Sequence, residues 1–274
     1  MSGGLHTERL PPDTLSDVSL RNHGGETIVG RYWTGAEHAP VAVLVHGLGS
    51  SMRHGQIEAT FDLLRSSGFA VLAYDATNAF GLSEGDIARA TLSAHKADLE
   101  DVIGHMAAEL RGRGPLLPCG FSLGASASYL YASEHPDRVA GLILVAPVVS
   151  GGEWLKAFEA VRPDDLDELT RSGSFPKHDT HTGRSGRIGA GFVEDLLRYD
   201  LTDLAGLIAC PVRLMVGEDD RTVPPATVAR LAQALGRRSR LTEIAQLGHT
   251  AGSPQELARL RTSLAEALTD WVGG

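Results

Sequence analysis

Gly120-Phe121-Ser122-Leu123-Gly124 reads G-x-S-x-G and joins an apolar run (Leu116, Leu117, Cys119) to a small-residue run from Ala125 to Tyr131. An apolar run followed by a helical one places the serine on a tight strand-to-helix turn. Glycine on either side removes the Cβ clashes that such a turn would meet, so the hydroxyl is carried out above the sheet edge. The following helix directs its unpaired N–H groups and the positive end of its dipole at any anion formed there. Five residues of this kind recur by chance, so the pattern needs support from the rest of the chain.

Outward from this turn, the chain alternates. Residues 18–22 and 26–33 flank His23-Gly24-Gly25 and predict an antiparallel hairpin. Residues 41–45 (Val-Ala-Val-Leu-Val) form a continuous apolar run, as a strand buried on both faces requires. A helix over 57–64, closed by Gly68, and a strand over 69–74 follow. Apolar residues at helical spacing over 92–110 predict an amphipathic helix, ended by Gly112 and Gly114. After the serine turn come strands at 142–145, 212–216 and 241–245, with helices at 225–235 and 254–271. Strands alternating with helices predict an α/β fold: a mostly parallel sheet of about eight strands, covered on both faces.

One stretch breaks the rhythm. Residues 150–208 show no convincing strand, only aromatic-bearing helical pieces around a Gly- and His-containing loop at 172–191. An insertion of this length predicts a helical lid over a site, giving a core of 1–150 and 206–274 and a lid of 151–205.

The chemistry follows from order. A serine nucleophile needs a base, and the base needs an orienting acid. Asp219 and Asp220 lie in Gly217-Glu218-Asp219-Asp220-Arg221-Thr222-Val223-Pro224 after one buried strand, and His249 follows the last strand. Ser122, one of the aspartates and His249 therefore emerge at one sheet edge, where open α/β sheets bind ligands. Asp220 is the preferred acid, with Asp219 as the alternative. His46-Gly47-Leu48-Gly49 follows the first buried parallel strand, so the Leu48 and Leu123 N–H groups are the expected oxyanion donors, and His46 is expected to be structural. Phe80 and Trp154, with Met52, Phe158 and Phe192, are candidates to line an apolar substrate pocket. His178, Asp179 and His181 lack zinc spacing and read as solvated lid residues, so no metal or cofactor is expected.

Composition narrows the partners. With 25 basic and 34 acidic residues, a net charge of −9 and no Lys/Arg-rich run, the chain is a poor match for nucleic acid or anionic membrane. Residues 1–12 carry no apolar core, residues 1–16 read as a loose arm, and no stretch nears the ~20 apolar residues of a membrane span, so a cytoplasmic protein is expected. Cys119 and Cys210 read as packed thiols. Three lysines against 22 arginines suggest a GC-rich bacterial genome.

Together these motifs resemble the α/β-hydrolase fold over nearly the whole chain from Val18. A closer likeness is to the acyl-transferase/thioesterase proteins of bacterial bioluminescence. It is carried by Gly68-Phe69-Ala70-Val71 through Tyr74-Asp75, by Phe80-Gly81-Leu82-Ser83-Glu84-Gly85, and by Arg198-Tyr199-Asp200-Leu201-Thr202-Asp203-Leu204-Ala205. The resemblance implies an acyl-enzyme on Ser122 and a small-molecule ester or thioester substrate, free or carrier-bound. Two alternatives stay open: a lyase that eliminates acetate from an acetylated tetronate-type intermediate, and a non-catalytic binding protein of the same fold. Substrate identity and oligomeric state are not readable from the residues.

Overall fold

The computed structural model describes residues 11–110 and 116–272. Strands β1 (Leu15–Arg21) and β2 (Thr27–Trp33) form the edge hairpin. Next come β3 (Val41–Val45), α1 (Gly55–Ser66), β4 (Ala70–Asp75), α2 (Leu92–His105), α3 (Ala107–Leu110), β5 (Leu117–Phe121), α4 (Leu123–Glu134) and β6 (Leu142–Val145). An insertion then contributes α5 (Gly151–Val161), α6 (Pro163–Ser172), β7 (Ser174–His178), β8 (Ser185–Gly189) and α7 (Gly191–Leu196). The chain closes with β9 (Val212–Gly217), α8 (Pro225–Leu235), β10 (Ser239–Ile244) and α9 (Pro254–Val272).

The main sheet has eight strands in the order β1-β2-β4-β3-β5-β6-β9-β10, parallel from β4 to β10, with β1 and β2 antiparallel at one edge. Each continuous apolar run feeds two cores. In β3, Val41, Val43 and Val45 enter one cluster while Ala42 and Leu44 enter the other. In β6, Leu142 and Leu144 divide from Ile143 and Val145 in the same way. A period of two with both faces covered needs apolar residues at every position, and each fully buried Val or Leu contributes ~1.5–3 kcal/mol. The chain passes from β3 outward to β4 and later returns to β5 on the other side of β3. That reversal opens a crevice at the carboxyl ends of β3 and β5. Among the described residues, no helix is long and apolar enough to cross a membrane.

The structure corrects the sequence reading at three places. The helix expected over 92–110 breaks at Met106 into α2 and α3, where Gly104 in the preceding turn weakens the helix. The loop expected at 172–191 contains an antiparallel hairpin, with Phe175 opposite Ile188 and Lys177 opposite Gly186. Its strands carry Pro176, Lys177, Gly186 and Gly189, residues of low strand propensity, so packing rather than local preference sets them. Its turn is made by Asp179, whose carboxylate accepts the Thr182 N–H and Oγ1–H and the His181 N–H. Finally, β1 begins at Leu15, inside the expected arm of residues 1–16. Residues 1–10 of that arm, and Gly112 and Gly114, lie outside the described residues.

Candidate active site

Ser122 lies between the end of β5 and the start of α4, with φ 52° and ψ −119°. A non-glycine residue held there costs ~1–3 kcal/mol. The surroundings hold it: the Ser122 N–H donates to the Val145 carbonyl (2.8 Å), and the Ser122 carbonyl accepts the Ala125 and Ser126 N–H groups (3.0 and 3.2 Å). The strain therefore rests on the serine itself. The glycines beside it serve close approach instead, because a Cβ on Gly120 would lie 2.5 Å from the Ala125 Cα.

Asp220 lies on the loop after β9 and His249 on the loop after β10. Asp220 Oδ1 accepts the Thr222 and Val223 N–H groups (2.9 and 2.8 Å), which leaves Oδ2 to face His249 Nδ1 at 2.8 Å. A carboxylate only accepts, so Nδ1 carries the imidazole proton and Nε2 is left bare. Nε2 lies 2.9 Å from Ser122 Oγ, positioned to accept its proton. The Asp220 side chain is fully buried and that of His249 is about one quarter exposed. Asp219 is exposed; its N–H donates to the Leu247 carbonyl.

The second turn is built around His46. Its Nε2 accepts the Ala76 N–H (2.9 Å), so its Nδ1–H donates to the Gly47 carbonyl (2.8 Å). Burial holds this imidazole below its ordinary pKa, in keeping with the neutral tautomer. The His46 carbonyl accepts the His95 Nε2–H (3.0 Å). Asp75, fully buried, accepts the Met52 N–H (2.6 Å) and the Leu82 N–H (2.7 Å), tying the segment after this turn to the 80–85 loop. Leu48 and Leu123 both border the cavity beside Ser122. Leu123 is the first residue of α4, so its N–H has no acceptor within the helix.

That cavity has a volume of about 460 Å³. Trp154, Phe158, Phe175 and Phe192 supply its aromatic wall. Trp154 stacks on Phe158 (4.8 Å, 15°) and meets Phe192 edge-on (5.3 Å). Phe80, an expected lining residue, does not border it. Its ring packs against Gly49 and Gly186, behind the wall. Met52 is likewise core. Sequence reading passed over Phe175, Lys177, His54 and Arg162, all of which border the cavity. The Asp179–Gly183 turn pattern was the available signal for the hairpin that presents Phe175 and Lys177. Of the three residues expected to be solvated, His178 is exposed and bonds Ser185 Oγ through Nδ1, His181 is exposed, and Asp179 is buried in its turn; His178 and Asp179 border the cavity. The His181 ring lies 5.7 Å from that of His54.

Comparison with known proteins identifies the family. A mitochondrial palmitoyl-protein thioesterase ABHD10 from Bos taurus is 25% identical over 195 residues, 71% of this chain and 61% of that protein. A human monoglyceride lipase is 32% identical over 135 residues, 47% of this chain and 42% of the lipase. The chain thus spans about three fifths of the length of the thioesterases it matches. Among solved structures, mouse alpha/beta hydrolase domain-containing protein 10 superposes with a TM-score of 0.72 at 20% identity, covering 93% of this chain and 99% of that one. The Butyrivibrio proteoclasticus protein Est1E, solved with ferulic acid, gives 0.76 at 17% identity over 94% and 100%. The profile of the Hydrolase_4 family, serine aminopeptidase S33, matches residues 36–252. Fold, strand order and this match together make the chain a member of that α/β-hydrolase family.

Proposed function

We propose that the protein hydrolyses an ester or thioester of a small acyl group through an acyl-enzyme on Ser122. The observation that carries this reading is the continuous relay from Asp220 Oδ2 through His249 to Ser122 Oγ, at 2.8 and 2.9 Å, opening on the aromatic cavity. His249 Nε2 takes the hydroxyl proton as Oγ attacks the acyl carbonyl, and the Leu48 and Leu123 N–H groups receive the developing oxyanion. Each such donor is worth ~3 kcal/mol of transition-state stabilisation. His249 then protonates the leaving group, and water, activated by the same imidazole, releases the acid. Asp220 holds the tautomer and stabilises the imidazolium. The insertion of residues 151–205 acts as the lid, since α5, β7 and α7 supply the aromatic wall. Thioesterase and lipase relatives support acyl-ester chemistry.

The stretches that resemble the bioluminescence acyl-transferases brace the site rather than enter it. Asp75 ties two loops, and Asp200 accepts hydrogen bonds from Arg230 and from the Thr202 N–H.

A fluorophosphonate probe tests the reading. It is expected to label the protein, and Ser122→Ala is expected to abolish both labelling and release of 4-nitrophenol from 4-nitrophenyl butyrate. Labelling that survives the substitution overturns the assignment.

A further inference from the structure

The proposed reaction leaves the charged groups that border the cavity, Arg162, Lys177 and Asp179, unused. Of the three lysines in the chain, Lys177 borders it. On β7, Lys177 follows Phe175 by two residues, so the two side chains leave the same face of the strand. Phe175 continues the aromatic wall, with ring centroids 5.0 Å from Phe158 and 6.4 Å from Phe192. Lys177 interrupts that wall with an ammonium. Its stem lies along the turn that carries Leu48: a Cβ on Gly49 would stand 3.1 Å from Lys177 Cε, and a Cβ on Gly47 would stand 3.2 Å from Ser122 Cβ. The stem of Lys177 is therefore separated from Ser122 by a single turn of chain.

The neighbouring charges are already engaged. Arg162 is ion-paired with Asp165. Asp179 accepts three hydrogen bonds from its own turn. His178 is bonded to Ser185, and burial, its largest influence, holds His54 below its ordinary pKa. Among the described residues Lys177 makes neither a hydrogen bond nor an ion pair; Asp179 attracts it only through space. Burial, and then Arg162, press its pKa below the ordinary lysine value. A half-buried ammonium without a hydrogen-bond or ion-pair partner has lost hydration for no more than a through-space attraction to Asp179, and a ligand anion would supply the missing charge-assisted bond. The hairpin that holds it is anchored. Arg184 donates to the Phe80 and Gly81 carbonyls (2.9 and 2.7 Å), so the cation is presented from a docked element.

We propose that Lys177 Nζ binds a carboxylate-class anion carried by the substrate, so that the ester or thioester accepted at Ser122 bears a negative charge near the scissile bond. The role of the anion as part of a substrate rests on the proposed hydrolase function; the anion site itself does not.

Calorimetry on Ser122→Ala protein tests the site without turnover, comparing the monomethyl esters of succinate, glutarate and adipate with their dimethyl counterparts. At least one monoester is expected to bind tenfold or more tightly than its diester. Lys177→Met in the same background is expected to erase the difference, and Lys177→Arg to keep most of it, with folding of both variants checked by circular dichroism. Turnover then locates the anion. A preference for mono(4-nitrophenyl) adipate over 4-nitrophenyl hexanoate places it on the acyl chain, whereas a preference for 4-acetoxybenzoate over its methyl ester places it on the leaving group. Equal binding of monoesters and diesters, or a difference that survives in folded Lys177→Met, overturns the proposal. Failure to hydrolyse any ester would count against the nucleophile reading instead, and the calorimetry would still decide Lys177.

Discussion

Gly124 packs so closely on the His46 carbonyl that a Cβ at position 124 would overlap that oxygen. Gly124 lies in the first turn of α4 and His46 follows the end of β3, so this contact clamps the helix behind Ser122 against the turn that carries Leu48. The second glycine of G-x-S-x-G thus sets the distance between the Ser122 turn and the Leu48 turn, the proposed nucleophile and the proposed oxyanion donor. Gly124→Ala must force the two apart. Overpacking of this kind costs about 1–3 kcal/mol, and 4-nitrophenyl butyrate turnover is expected to fall more than tenfold with a melting temperature lower by several degrees. Unchanged kinetics would show that the two turns can separate without penalty.

The two adjacent aspartates should separate cleanly. Asp220→Asn leaves the Thr222 and Val223 contacts an acceptor but removes the carboxylate that fixes the Nδ1–H tautomer of His249. A fall in kcat of ~10⁴ is expected, as for other triads that lose their acid this way. Asp219 is exposed and touches neither His249 nor Ser122, so Asp219→Asn should stay within about threefold of the parent by the usual tolerance of surface positions. Comparable losses in both variants would contradict the assignment.

Acid should weaken the fold through His95. Burial first, and His46 second, press its pKa from 6.5 to about 3. Between those values the unfolded chain binds a proton that the folded chain refuses. Stability therefore rises with pH across this window, is fully present above 6.5 and drains away toward 3. His46, also lowered by burial, acts with the same sign. Urea midpoints measured from pH 4.5 to 7.5 should climb with pH, and His95→Gln, whose amide can still donate to the His46 carbonyl, should flatten the climb. An equal slope in the variant would assign the pH dependence elsewhere.

Trp154 should act on acyl length. Its indole stacks on Phe158 and meets Phe192 edge-on at the cavity wall. Trp154→Ala removes that wall. A loss of ~3–5 kcal/mol in stability is expected from a truncation of this size. Alongside it, the chain-length optimum among 4-nitrophenyl esters from acetate to dodecanoate should shift to longer acyl groups. A lowered melting temperature with an unmoved optimum would make Trp154 a packing residue alone.

What the residues made legible was everything tied to a periodic or ordered pattern. Continuous apolar runs such as 41–45 told of strands buried on both faces, because alternate residues must satisfy two cores. The order of Ser122, Asp220 and His249 along the chain followed from strands whose carboxyl ends all reach one edge. Phe80 illustrates the opposite case. An aromatic residue near a site has the same composition whether it lines the cavity or backs it, and only packing against Gly49 and Gly186 separated the two.

The sequence by itself thus determined the fold class, the serine turn and the candidate triad, since hydrophobic period and chain order are local or ordinal properties. Tertiary structure decided the rest. It brought Asp220, rather than Asp219, within 2.8 Å of His249, a residue 29 positions later. It placed the strain of the turn on Ser122, beside glycines that serve close approach. It raised a hairpin from a stretch of weak strand propensity, and with it placed Lys177 beside Gly49. Each of these outcomes depends on which distant atoms share a volume, and chain order holds no record of that.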